Sequence, residues 1–118
     1  MHTSNVDKGR DGQRLAERYL QSKGYTLVCA NFTAPMGEID LIVRDGAYLV
    51  FVEVKYRMSL QYGLPCEAVT PAKQRKIRKT AQYYMVKNPS NGQDCRFDVV
   101  ELLETTQGIG VRHITDAF

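Results

Sequence analysis

The chain has 118 residues, 43% of them hydrophobic and 25% charged, with a formal net charge of +3. That size supports one domain, residues 1–118, with a real core, and so modest a charge means that affinity for a polyanion must come from where the cations sit. No apolar run is long enough to cross a bilayer, the first residues lack the apolar centre of a signal peptide, and Cys29, Cys66 and Cys95 are spaced for neither a metal pair nor a disulfide framework; a cytoplasmic protein with reduced thiols and no membrane partner is expected.

Residues 1–7 read as a disordered lead-in. From residue 8 to 23 a helical stripe of Gly12, Leu15, Ala16, Tyr19 and Leu20 faces Arg10, Gln13, Arg14, Glu17, Arg18 and Gln21, and Gly24 is a natural stop. A first strand is expected over 25–32 and a turn over 33–37, around Pro35. Then Asp45-Gly46 stands between two apolar, β-branched runs, a strong hairpin signal for a type I′ turn. With Asp45 and Gly46 as the loop, Arg44 lies opposite Ala47, Asp40 opposite Phe51 and Glu38 opposite Glu53. Glu38, Asp40, Glu53 and Lys55 then share one face, and Ile39, Leu41, Val43, Val50, Val52 and Val54 line the other as a core.

Residues 58–69 read as an irregular loop. Thr70-Pro71 supplies an N-cap and a first-turn proline for a helix to about residue 87. Its apolar side is Ile77, Ala81, Tyr84 and Met85, and its first half carries Lys73, Arg75, Lys76, Arg78 and Lys79. Such a run is either a solvated face or, because like charges this dense weaken a helix, a surface for a polyanionic partner. After a loop over 88–94, strands are expected at 96–104 and 111–115, with a turn at 107–110. The order α-β-β-β-α-β-β suits an α/β fold, a mixed sheet flanked by helices.

Three carboxylates beside a lysine on one sheet face are costly unless neutralised. Asp40 and Glu53, diagonal neighbours about 7–8 Å apart along the backbone, can reach one cation, and a small set of hard oxygen donors suits Mg²⁺ or Mn²⁺. The competing reading is an ordinary polar face in which Glu53 pairs weakly with Lys55. His2 and His113 lie at a terminus and an expected edge strand, no cysteine has an evident base, and GxGxxG and P-loop patterns are missing. Nucleophilic and nucleotide-cofactor chemistry are therefore disfavoured. The pattern D-x₁₂-E-x-K, carried by Asp40, Glu53 and Lys55, is what remains.

Gly37-Glu38-Ile39-Asp40-Leu41-Ile42 followed by Phe51-Val52-Glu53-Val54-Lys55-Tyr56-Arg57 resembles the PD-(D/E)xK nuclease core. More closely, the chain resembles the YraN-like family of bacterial proteins, related to archaeal Holliday-junction resolvases. The likeness runs from Gly9 to Val100, through Gly9-Arg10-Asp11-Gly12, Gly24-Tyr25, Asn31, Tyr62-Gly63, Glu67-Ala68-Val69, Lys73 and Arg96-Phe97-Asp98-Val99-Val100. The resemblance implies a restriction-endonuclease-like fold, with Asp40 and Glu53 as metal ligands, joined by the Val54 carbonyl, and Lys55 as the catalytic lysine. It implies no particular substrate; a Mg²⁺- or Mn²⁺-dependent hydrolysis of nucleic acid is the function expected, DNA ahead of RNA, with branched or junction substrates and a homodimer as further expectations. Glu38 and Arg57 fall beside this set as supporting residues. Where the family reads Gly-x-x-Gly-Glu in its first helix, this chain has Gln13, an amide that adds no negative charge. A nucleic-acid-binding domain that kept the fold and lost the reaction is the alternative that Gln13 favours.

Overall fold

The computed structural model describes residues 5–58, 69–89 and 94–118. Most of the loop expected at 58–69, with Cys66, and part of the one at 88–94 lie outside them. Helix α1 spans Asn5–Ser22, strands β1, β2 and β3 span Thr26–Ala34, Gly37–Asp45 and Tyr48–Met58, helix α2 spans Pro71–Lys87, and β4 and β5 span Asp94–Thr105 and Gly108–Ile114. The sheet order is β1-β2-β3-β4-β5, antiparallel except for the β3–β4 pair, which is parallel and joined through α2. A five-stranded mixed sheet flanked by helices is consistent with a restriction-endonuclease-like fold.

Local chemistry accounts for the ends of the elements. Helix α1 closes in a Schellman motif: the Tyr25 N–H donates to the Leu20 carbonyl and the Gly24 N–H to that of Gln21, with Gly24 at φ 94°. At the start of α2, Thr70 accepts from the Lys73 N–H and Pro71 takes the first turn. The first helix begins at Asn5, so the lead-in expected over 1–7 ends sooner; no breaker stands at 5–7.

Two turns are tighter than expected and a third is shifted by one residue. Ala34 pairs with Gly37 and Thr105 with Gly108, leaving Pro35–Met36 and Thr106–Gln107 as the loops. In the central hairpin Asp45 pairs with Tyr48, so the loop is Gly46–Ala47, not Asp45–Gly46. Gly46 alone has a positive φ, 59°, the pattern of a type II′ turn. Asp45 stays in the strand, where its carboxylate meets Arg96 NH1 at 3.0 Å. The register moves by two residues, an even shift that keeps each side chain of the paired stretch from Leu41 to Val52 on its face; beyond it Ile39 packs with the α2 side and not with Leu41 and Val43 as expected.

The sheet is a core on both sides, rather than apolar on one and acidic on the other. Ile42, Leu49, Phe51, Phe97 and Val99 pack beneath α2 with Ile77, Ala81 and Tyr84. Leu41, Val43, Val50, Val52, Val100 and Leu102 pack beneath α1 with Ala16 and Leu20. Doubly covered central strands read as nearly continuous apolar runs, as in Leu41-Ile42-Val43 and Leu49-Val50-Phe51-Val52. Against this background the buried acids Glu53, Asp98 and Glu101 need individual explanations.

Candidate functional site

The paired register of β2 and β3 ends at Leu41 and Val52. Ile39 and Ile42 both pack toward α2 while Leu41 packs toward α1, so strict alternation breaks at Asp40–Leu41. Here β2 parts from β3. Asp40 closes the fork with its side chain: the Val54 N–H donates to Asp40 Oδ2 at 2.8 Å. On the α1 side Asp40 lines a cleft of about 240 Å³ with Gly12, Gln13, Val54 and Tyr56.

Glu53 and Lys55 point to the α2 side, following Leu49 and Phe51. Glu53 Oε2 lies 3.6 Å from Lys55 Nζ and 3.7 Å from Lys73 Nζ. Burial pushes the Asp40 carboxyl above its ordinary value; the Val54 N–H, Lys73 and a hydrogen bond with Glu53 oppose this, and Glu38 adds to it. Glu53 is raised by burial and then by Asp40, against Lys73 and Lys55. The site is thus two carboxylates raised chiefly by burial, of which Asp40 raises Glu53 further while its hydrogen bond with Glu53 holds Asp40 down, with two lysines as the balancing cations.

Asp40, Glu53, Val54 and Lys55 are therefore neighbours, and Gln13 joins Asp40 in the cleft. Val54 meets Asp40 through its N–H. Glu38 is exposed, pairs across to Thr33 and acts on Asp40 by charge alone. Arg57 points away from the carboxylate pair to Glu101, its Nε 3.2 Å from Oε2.

The cations of the α2 run, of which Arg75, Lys76, Arg78 and Lys79 are exposed, have different neighbours. Lys73 reaches Glu53, whereas Arg78 stacks over Phe97 and Phe118 at 4.8 and 5.5 Å, and Lys79 lines an apolar groove with Met36, Gln82, Tyr83 and Val86. Arg75 and Lys76 are exposed. Sequence reasoning placed Lys73 among the flanking cations and passed over Tyr56, Glu101 and Arg112. The N-cap Thr70, whose Oγ1 accepts the Lys73 N–H, is the local sign that the Lys73 backbone is held in place.

Gly12 explains the nearness of α1: a Cβ there would lie 2.9 Å from Leu102 Cδ1 and 3.1 Å from Tyr56 Cδ2. The Tyr56 hydroxyl donates to Glu104, and that bond, then burial, pushes its pKa up to about 12. Among the described residues no helix is long and apolar enough to cross a membrane.

Residues 12–102 match the family described as Uncharacterised protein family UPF0102. A UPF0102 protein of Clostridium acetobutylicum is 42% identical over 120 residues, covering 100% of this chain and 98% of that protein. One from Desulfosudis oleivorans is 48% identical over 92 residues, 78% of this chain and 75% of its own. A third, from Chlorobium limicola, is 41% identical over 116 residues, with 93% and 90% covered.

Proposed function

We propose that this chain, which belongs to the uncharacterised protein family UPF0102, hydrolyses phosphodiester bonds of nucleic acid, DNA ahead of RNA, at the Asp40–Glu53 pair. One observation carries the reading. Two carboxylates, both raised by burial, meet where β2 leaves β3, with two lysines on Glu53 Oε2. Perturbed acids gathered with cations are a recurrent mark of a reactive site, and one of the two, Asp40, lines a cleft.

The donor set fits Mg²⁺ or Mn²⁺. Asp40, Glu53 and the Val54 carbonyl offer hard oxygens; among the described residues no group of three or more His, Cys, Asp or Glu converges, so water and phosphate would have to fill the rest of such an ion's shell. Bound there, such an ion would supply Lewis-acid help to a phosphate and a more acidic water. Asp40 is positioned for its part by the Val54 N–H. Lys55, its Nζ 3.6 Å from Glu53 Oε2, would serve as a stabiliser of phosphate charge rather than as a free base. Lys73, on the other side of Glu53, does the same. Membership of the PD-(D/E)xK superfamily, and with it junctions or other branched DNA as substrates and a homodimer as the assembly, belongs to this reading.

A second reading is a domain that binds nucleic acid without cutting it. Glu53 already has two lysine partners and residue 13 is an amide, so the charges balance without a divalent ion. A Mg²⁺/Mn²⁺ cleavage screen over branched, duplex and single-stranded substrates separates the two. Cleavage is expected from the native chain and not from Asp40→Asn, Glu53→Gln or Lys55→Ala. Wild-type activity in Asp40→Asn overturns the assignment; salt-sensitive binding without cleavage selects the second reading.

A further inference from the structure

We infer that Arg57 and Arg112, both held on the buried carboxylate of Glu101, form a guanidinium fork that binds the phosphodiester backbone beside the Asp40–Glu53 site and leads the strand across β4 to β5. The inference rests on the reading of the partner as a nucleic acid and adds where that partner lies.

Glu101 sits in β4 with its side chain 2% exposed, and each of its oxygens faces one arginine. Oε2 is 3.2 Å from Arg57 Nε of β3, and Oε1 is 3.7 Å from Arg112 NH1 of β5. The strand registers place Lys55, Glu101 and Arg112 opposite one another in one row across three strands. That row lies on the α2 side, one pleat beyond Glu53. From the carboxylate pair outward, the face therefore presents Lys55 and Lys73, then Arg57 and Arg112, with Glu101 as the one buried anion beneath the two guanidinia.

The same sheet shows what an arginine used only for structure looks like. Arg96 gives Nε and NH2 to Asp98, NH1 to Asp45 and NH2 to the Tyr25 hydroxyl, and its side chain is 15% exposed. Its donors are consumed inside the protein. Arg57 and Arg112 instead share one carboxylate, each through a single nitrogen, and stay 25% and 43% exposed. A guanidinium has five N–H donors in a planar fork. Glu101 thus fixes where these two groups stand and leaves one positive charge in excess, with outward donors matched to a phosphate's paired oxygens. Positioned this way they hold the backbone and do not read bases.

The test is binding of a fluorescent DNA duplex without divalent ions, across a salt series, for the native chain, Arg57→Gln, Arg112→Gln, the double variant and Lys87→Gln. Each arginine change is expected to lower the slope of log K against log salt by about 0.9, and the double variant by about twice that, with Lys87→Gln unchanged. Arg112→Lys should keep most of the slope while weakening binding, because the charge stays and the fork is lost. Melting temperatures identify any variant that fails to fold, and Arg112, on the exposed edge strand, keeps the test usable should Arg57→Gln unfold. Native-like slopes in folded Arg112→Gln and the double variant overturn the fork and leave the nuclease reading standing. A native chain that binds no DNA overturns the reading beneath it. Loss of binding to poly-glutamate, with DNA binding unaffected, would assign the fork to an acidic protein and overturn it as a nucleic-acid track.

Discussion

Asp40 Oδ2 accepts the Val54 backbone N–H at 2.8 Å, so a side chain of one strand takes the place of a ladder partner for the next. This lets β2 and β3 separate without orphaning a buried donor, and it fixes Asp40 beside Glu53 in the gap that results. A carboxylate made necessary by the backbone is also the one that the proposed chemistry uses.

Asp40→Asn keeps an acceptor for Val54 and removes a charge. Asp40 and Glu53 have folded pKa values above their ordinary ones; their protonated forms are favoured by folding. Their contribution is fully present below about pH 4 and is lost as pH rises through the folded values. The metal-free native chain should therefore lose stability across this window more steeply than Asp40→Asn. At pH 7 the variant should be more stable by about 0.5–2 kcal/mol. Mg²⁺ should raise the melting temperature of the native chain and not of the variant. Thermal unfolding from pH 4 to 8, with and without Mg²⁺, checks both; marked destabilisation by Asn and no metal effect would make Asp40 a structural acid.

Much of the frame was readable from local signals. Thr70-Pro71 and Gly24 mark helix ends because capping is settled within a few residues. From Leu41 to Val52 the faces of the central hairpin survived an error in its loop because the error was an even number of residues; Ile39 and Asp40, outside that stretch, lie on the faces opposite to those expected. What could not be read is set at long range. Asp45 stays in its strand through Arg96, 51 residues away, and the break of alternation at Asp40–Leu41 depends on where β2 leaves β3. Glu101 was hidden in an apolar run, and only the registers of β3 and β5 reveal that Arg57 and Arg112 flank it.

The α2 cations should separate by position. Lys73→Ala removes one of two cations from Glu53 and should move the Glu53 titration upward, since Lys73 holds it down, as read by carbon-detected NMR of the carboxyl group. If the site cuts phosphodiesters, the same change should cost about 10²-fold in rate, the scale of losing one charge-stabilising group. Arg78→Ala should leave that titration alone. It should instead cost about 0.5–1 kcal/mol of stability, because it uncovers the Phe97 and Phe118 rings.

Asp98 is a structural acid, and its behaviour should be opposite to that of the site pair. Burial alone would raise its pKa; hydrogen bonds from His113, Arg96 and the Asp116 N–H outweigh it and hold the carboxyl below its usual value. Its contribution is present above about pH 4 and is lost as pH falls through the folded value. Asp98→Asn should destabilise by about 3–5 kcal/mol at pH 7, the cost of breaking a buried ion pair. It should also flatten the acid limb of stability below pH 4. Denaturant unfolding at pH 7 and pH 3 measures the difference.

Gly12→Ala sets a gain against a loss. Alanine in a helix is worth up to about 1 kcal/mol over glycine, but the new Cβ would stand 2.9 Å from Leu102 Cδ1, in a part of the core with no exposure. Overpacking of this kind costs about 1–3 kcal/mol. The loss should win, with net destabilisation of about 1 kcal/mol by urea unfolding. A more stable variant would show that α1 can move off the sheet at little cost.

Gln13→Glu tests the cleft itself. Residue 13 lines it together with Asp40, so a carboxylate there should strengthen cation binding and, without a cation, oppose the two acids already present. The expected result is about tenfold tighter Mn²⁺ binding, or about 1.4 kcal/mol. Melting in chelator should fall, and the fall should grow from pH 4 to pH 7 as the carboxyls ionise. Opposite signs with and without metal distinguish this from a general change in helix stability, which would move both measurements together. A solvated residue 13 would tolerate glutamate within about 0.5 kcal/mol and leave Mn²⁺ affinity unchanged. Calorimetric titration of Mn²⁺ beside melting curves in chelator decides between them. Gln13→Ala serves as the control for lost side-chain volume: it should widen the cleft without adding charge, and so leave the pH dependence of stability as in the native chain.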